Sequence, residues 1–226
     1  MIEALAADYD GTLAWQGKVL DSTIASLHRL KNSGRKFVLV TGRRIDDLMT
    51  VFPHFSLCDL IVGENGALLY WPKESRTEML CPVAPQNFVR ILYERGVPPL
   101  AVGKAIIAMK SSQATEVGTL IVEQGLDLKM IFNKDAMMLL PAGVDKGTGV
   151  RTALSLLESS ARRTVGVGDA ENDEPLLKAC GIGVAVENAL TSLKAIATFS
   201  MEEPHGLAIE KLIDWVIDGS LDHYVT

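Results

Sequence analysis

The chain has 226 residues, enough for one large domain or one domain with a modest insertion, and its 48% hydrophobic and 22% charged residues fit a substantial buried core. A formal net charge of −6 argues against non-specific nucleic-acid binding, which needs a basic face to displace counterions. No stretch approaches the roughly 20 apolar residues that span a bilayer. The N-terminus also lacks the basic start and apolar run of a secretion signal, so no membrane partner is expected. Cys58, Cys81 and Cys180 stand far apart, with no metal-type spacing to any of the four scattered histidines. They read as reduced thiols in a cytoplasmic protein.

In chain order, the apolar run at 2–8 (IEALAAD) reads as a strand ending on Asp8, two residues before Asp10 and the turn residues Gly11 and Thr12. Residues 21–33 carry Ile24, Leu27 and Leu30 at helical spacing, with Asp21 or Ser22 to cap the helix and Gly34 to stop it. Strands are expected at 36–42 (KFVLVTG) and 59–65 (DLIVGEN), with a helix at 44–52 between them. Residues 82–141 change rhythm: helix 85–95, strand 102–109, helix 111–124, then two runs at 127–133 and 136–141 joined as a hairpin by Lys134 and Asp135. The βα rhythm then resumes with helix 146–161, strand 163–169 (RTVGVGD), helix 172–180, strand 181–186 and helices 188–197 and 206–217.

Continuous apolar strands alternating with helices predict an α/β fold, a doubly wound parallel sheet covered on both faces. Residues 1–81 and 142–226 would form this core, with 82–141 inserted as a small α+β cap. The cap is slightly basic, with six Lys/Arg against five Asp/Glu, while the core is acidic. Ligands of open parallel sheets bind at the carboxyl ends of the strands. Asp8, Thr41 and Asp169 each close a predicted strand and are therefore expected to converge. Two carboxylates as close as Asp8 and Asp10 repel unless a positive group stands beside them. No P-loop, three-glycine dinucleotide fingerprint, EF-hand loop or G-x-S-x-G elbow occurs.

Four segments occur in order: DYDGT (8–12), VTGRR (40–44), GVDKGTG (143–149, with Lys146) and GVGDAEND (166–173, with Asp169, Asn172 and Asp173). Together they resemble the signature motifs of the haloacid dehalogenase-like (HAD) hydrolase superfamily. The extra segment lies between the second and third motifs, and VGENGALLY (62–70) precedes it, which resembles the C2-capped, Cof-like branch. That branch includes phosphoglycolate, sucrose-phosphate and mannosyl-phosphoglycerate phosphatases. The resemblance implies a HAD-like Rossmannoid core and a Mg²⁺-dependent phosphatase acting on a small phosphorylated metabolite through an aspartyl-phosphate.

Within that resemblance Asp8 is the nucleophile and Asp10 the general acid and base. Thr41, the Gly42 amide, Lys146 and Asn172 hold the phosphate or substrate. Arg43 either reaches the substrate or forms a surface ion pair. Asp8, the Asp10 carbonyl, Asp169 and Asp173 hold Mg²⁺, Asp173 through water or as support. In the cap, Lys104, Lys110, Asn133 and Lys134 are specificity candidates or ordinary solvated side chains. The resemblance also leaves open a phosphotransferase or mutase with the same nucleophile, and a non-catalytic module of a longer chain.

Overall fold

A computed structural model describes residues 1–225. The first part of the chain forms β1 (Ala4–Asp8), α1 (Asp21–Asn32), β2 (Lys36–Val40), α2 (Ile45–Val51), β3 (Leu60–Gly63), β4 (Leu68–Trp71) and β5 (Arg76–Met79). Then come α3 (Gln86–Glu94), β6 (Ala101–Val102), β7 (Ile107–Lys110), α4 (Ala114–Glu123), β8 (Leu128–Asn133) and β9 (Ala136–Pro141). The last part comprises α5 (Lys146–Leu156), β10 (Thr164–Gly168), α6 (Glu174–Ala179), β11 (Ile182–Ala185), α7 (Thr191–Ile196), β12 (Phe199–Ser200) and α8 (His205–Asp218).

The larger sheet has eight strands in the order β12-β11-β10-β1-β2-β3-β4-β5. It is parallel from β12 to β3, and β4 and β5 extend it as antiparallel strands. β1 is buried at every position, which explains why its sequence is a continuous apolar run and not an alternation. Helices bury the remaining faces: Ile24, Leu27 and Leu30 of α1, and Ile209, Leu212 and Ile213 of α8, join one core with the strands. None of the described helices is long and apolar enough to cross a membrane.

The smaller sheet, referred to below with its helices as the cap, has the antiparallel order β6-β7-β9-β8. Its strands follow the two-residue period of a sheet with two different faces. Met137 and Leu139 of β9 pack with Phe88, Leu92, Val117 and Leu120 of α3 and α4. Met138 and Leu140 face the other way, onto Ala67 and Val144 of the larger unit.

The expected strand at 102–109 is corrected to two short strands, because the chain turns at 103–106, where three backbone amides point to the Glu64 carboxylate. The expected helix 146–161 stops at Leu156, and Glu158 lies in the left-handed region at φ 54°. The expected strand 59–65 likewise ends at Gly63, because Glu64 and Asn65 turn left-handed at φ 49° and 54°.

Candidate active site

The parallel register aligns the strand ends. β1 lies between β10 and β2, so Asp8 at its last position stands between Asp169, just past β10, and Thr41, just past β2. A turn closed by the Gly11 amide on the Ala14 carbonyl brings Thr12 back over Asp169, whose Oδ1 accepts the Thr12 hydroxyl at 3.3 Å. Gly11 has φ 84°, and a Cβ there would come within 2.5 Å of Asp169 Oδ2, so only glycine lets the two segments meet.

Lys146 enters from α5. Asp145 caps that helix by accepting the Thr148 amide at 2.8 Å, which fixes Lys146 as its first residue. A lysine at a helix N-terminus is opposed by the macrodipole. Two carboxylates offset this: Lys146 Nζ donates to Asp8 Oδ1 at 2.6 Å and Asp173 Oδ1 at 2.5 Å. The other oxygen of Asp173 accepts the amides of Asp169 and Ala170 at 2.9 and 3.0 Å, so Asp173 holds both the lysine and the Asp169 backbone.

Carboxylate oxygens of Asp8, Asp169 and Asp173 all lie within 4.8 Å of one another, and all three residues are buried. Burial pushes the Asp8 carboxyl well above the ordinary carboxylate range; Asp173 adds to this and Lys146 opposes it. Burial also raises Asp169, against the stabilising hydrogen bond from Lys134. For Lys146 burial alone would lower the ammonium, but Asp173 and Asp8 outweigh it and hold it protonated. Two lysines, the buried Lys146 and the half-exposed Lys134, against three carboxylates leave one negative charge uncompensated, which favours a proton or a further cation. The all-oxygen donor set suits a hard divalent ion such as Mg²⁺.

Around this cluster the other sequence-derived residues take varied positions. The buried Thr41 accepts the Arg43 amide on Oγ1 at 3.0 Å, fixing the loop that carries Gly42. Arg43 forms an ion pair and also lines the active-site cavity: its Nε and second terminal nitrogen meet the two oxygens of Asp10 at 2.7 and 2.8 Å, and its other nitrogen meets Asp47 at 2.6 Å. Arg43 therefore positions the Asp10 carboxylate. Asn172 donates to Asn65 Oδ1 at 3.1 Å, and its own buried Oδ1 has no protein partner. Asn65 was not foreseen as a site residue. It connects Asn172 to Met138 of the cap and, through its amide, to the Thr41 carbonyl. The only trace of this role in the sequence is the Asn-Gly pair, which favours the left-handed turn seen there.

A cavity of about 300 Å³ opens onto Asp8, Asp10, Gly42, Lys146 and Asn172. Its cap wall consists of Ala101, Ile106, Ala108 and Met138, with Asn133 as the one polar side chain. Lys134, at the tip of the β8–β9 hairpin with φ 53°, reaches down to Asp169 Oδ2 at 2.8 Å. Lys104 and Lys110 line separate clefts, of about 450 and 590 Å³. Of the four cap candidates, then, Asn133 and Lys134 face the carboxylates and the two other lysines do not.

A family profile described as haloacid dehalogenase-like hydrolase matches residues 5–116 and 128–213. The chain is similar to phosphoglycolate phosphatase 2 of Saccharolobus solfataricus, 29% identical over 96% of this chain and 93% of that one. Its fold is similar to a crystal structure of protein 0175 from Thermoplasma acidophilum, with a TM-score of 0.82 at 17% identity over 99% and 98% of the two chains. A sugar phosphatase of HAD subclass IIB superimposes with a TM-score of 0.74 at 19% identity, covering 98% of each chain. The matched segments take in every residue of the carboxylate–lysine cluster, and the chain is an enzyme belonging to the haloacid dehalogenase-like hydrolase family.

Proposed function

We propose that this enzyme is a Mg²⁺-dependent phosphatase that hydrolyses a short phosphorylated organic acid, of the phosphoglycolate kind, through an aspartyl-phosphate. The observation that carries the reading is the joining of Asp8, Asp169, Asp173 and Lys146 at adjoining strand ends beside a cavity of about 300 Å³. Catalysis of phosphoryl transfer is largely positioning plus neutralisation of spread negative charge, and this cluster offers both.

Asp8 attacks phosphorus and forms the Asp8–phosphate bond as the bond to the leaving oxygen breaks. Asp10 donates its proton to that oxygen. In the second half-reaction Asp10 takes a proton from the water that attacks phosphorus, releasing phosphate and restoring Asp8. Arg43, bonded to both oxygens of Asp10, holds that carboxyl group at the cleft, and one of the two contacts opens when Asp10 carries the proton. The Thr41 loop with its Gly42 amide, Lys146 and Asn172 bind the phosphate oxygens. Asp8, the Asp10 backbone carbonyl and Asp169 would hold Mg²⁺, and Asp173 would support it through water or from behind. When bound, the ion offsets the charge between the Asp8 carboxylate and the phosphate.

The substrate class rests on the cavity wall and on the named relatives. A sugar needs several polar partners, whereas the cap wall presents four apolar side chains and Asn133. Arg44 also lines the cavity, and its ion pair with the exposed Asp46 is long at 3.4 Å, so its charge remains available to a carboxylate. A panel of phosphomonoesters assayed with Mg²⁺ and with EDTA tests the proposal. Phosphate release from 2-phosphoglycolate is expected to exceed that from hexose phosphates, to stop in EDTA, and to fall roughly a thousandfold or more in Asp8→Asn. Turnover surviving Asp8→Asn, or no release from any ester, would refute it; transfer to an added sugar instead of water would favour a mutase.

A further inference from the structure

Outside the reactive cluster, the most unusual group is Glu64. It lies 1% exposed in the turn after β3, and no basic side chain among the described residues pairs with it. A buried carboxylate is unfavourable unless donors meet it. Here the donors come from the cap: the amides of Lys104, Ala105 and Ile106 reach its oxygens at 2.9, 2.8 and 3.0 Å. Three successive amides around one anion form a nest, a concave set of backbone donors. The residue before the nest has no room for a side chain, since a Cβ on Gly103 would sit 2.6 Å from the Glu64 carboxyl atoms.

The turn that Glu64 grips carries the wall of the cavity. Ala101 precedes it in β6, Ile106 closes it and Ala108 follows in β7, and all three line the site. Ala105 and Ile106 also pack with Ala67, Met138 and Leu140 at the junction of the two sheets. The attachment is made by a side chain that touches neither Asp8 nor the cavity. It therefore holds the wall against the larger unit without any help from substrate.

We propose that Glu64 is a specificity-determining positioning residue: by clasping the 103–106 turn it fixes the height of the cap wall and so excludes bulky phosphomonoesters. The selectivity half of this statement rests on the phosphatase reading above; the clasp itself does not. Glu64→Gln keeps size and burial but turns an amide NH₂ toward backbone donors, and Gly103→Ala drives a methyl into the clasp from the cap side while leaving Glu64 in place.

Hydrogen exchange of the 101–110 segment and kcat/KM for 2-phosphoglycolate and p-nitrophenyl phosphate test it in both variants of the full chain. A lost charge-assisted hydrogen bond changes an equilibrium by about tenfold or more. Exchange at residues 104–106 should therefore quicken by about tenfold, and the preference for the small ester over the aryl ester should fall by a similar factor. The double variant should go no further than either single one, because both remove the same contact. Unchanged protection at 104–106 would overturn the clasp, and faster exchange with an unchanged preference would overturn its role in selectivity. If Glu64→Gln does not fold, Gly103→Ala decides alone. A wild type inert to both esters would refute the proposed substrate class and the selectivity with it, while exchange would still judge the clasp.

Discussion

Replacing Lys146 by methionine keeps most of the side-chain volume and removes the one buried cation of the site. The surrounding carboxylates of Asp8, Asp169 and Asp173 have oxygens within 4.8 Å of one another. At an effective dielectric of about 20, two unit charges at such a separation repel by about 3.5 kcal/mol. Lys146 opposes this repulsion at 2.6 Å from Asp8 and 2.5 Å from Asp173, while only 2% exposed. Breaking a buried ion pair by removing one partner costs about 3–5 kcal/mol. Asp8 can relieve part of the strain by taking a proton, since burial already raises its carboxyl. We therefore expect a loss of about 3–4 kcal/mol near neutral pH in EDTA, at the lower end of that range. Urea unfolding should show a midpoint about 1–2 M lower, given slopes of about 2–3 kcal/mol/M. Mg²⁺ should return part of the loss, because a ligand that binds only the folded state stabilises it by mass action. A midpoint in EDTA within about 0.3 M of wild type would refute the claim that Lys146 compensates this cluster.

Two further outcomes follow from the same geometry. The Asp8 and Asp169 carboxyls are raised in the folded state, so between the ordinary value of about 3.9 and the raised ones the fold binds more protons than the unfolded chain. Their contribution is most favourable below about 3.9 and declines as pH rises through that window. In EDTA, Asp8→Asn should thus gain stability relative to wild type as pH increases, read from urea midpoints at several pH values; a difference independent of pH would contradict the shift. Gly11→Ala places a methyl 2.5 Å from Asp169 Oδ2 at φ 84°, and should cost about 1–3 kcal/mol of stability. It should also weaken Mg²⁺ binding in calorimetry by displacing Asp169, and native Mg²⁺ affinity in this variant would count against the assigned ligand set.

The parallel core was legible because its signal is local. β1, β2, β10 and β11 are apolar runs closed by turn residues, and each forms within a residue or two of its expected bounds. The edge strands β5 and β12 escaped notice for a physical reason. β5 alternates exposed and half-buried residues, three of its four polar, and β12 is only two residues long, so neither carries the apolar run that marks a buried strand. The turn at 103–106 was read as part of a strand because the partner that bends it, Glu64, lies about 40 positions away in the chain.

For the site, the amino-acid sequence by itself determined which chemical groups are available and that Asp8, Thr41 and Asp169 stand at strand ends, because strand ends are set by local pattern and parallel sheets gather them on one edge. Tertiary structure alone decided how those groups are shared. It joined Arg43 to Asp10, sent Lys134 across from the cap to Asp169, and joined Asn65 to Asn172 and Glu64 to the cap turn. Each of these contacts is a hydrogen bond a few ångströms long between segments remote in the chain. The Arg43 and Asn65 contacts depend on strand order within the larger sheet, and those of Lys134 and Glu64 on the relative pose of the two sheets, quantities no local pattern of side chains encodes.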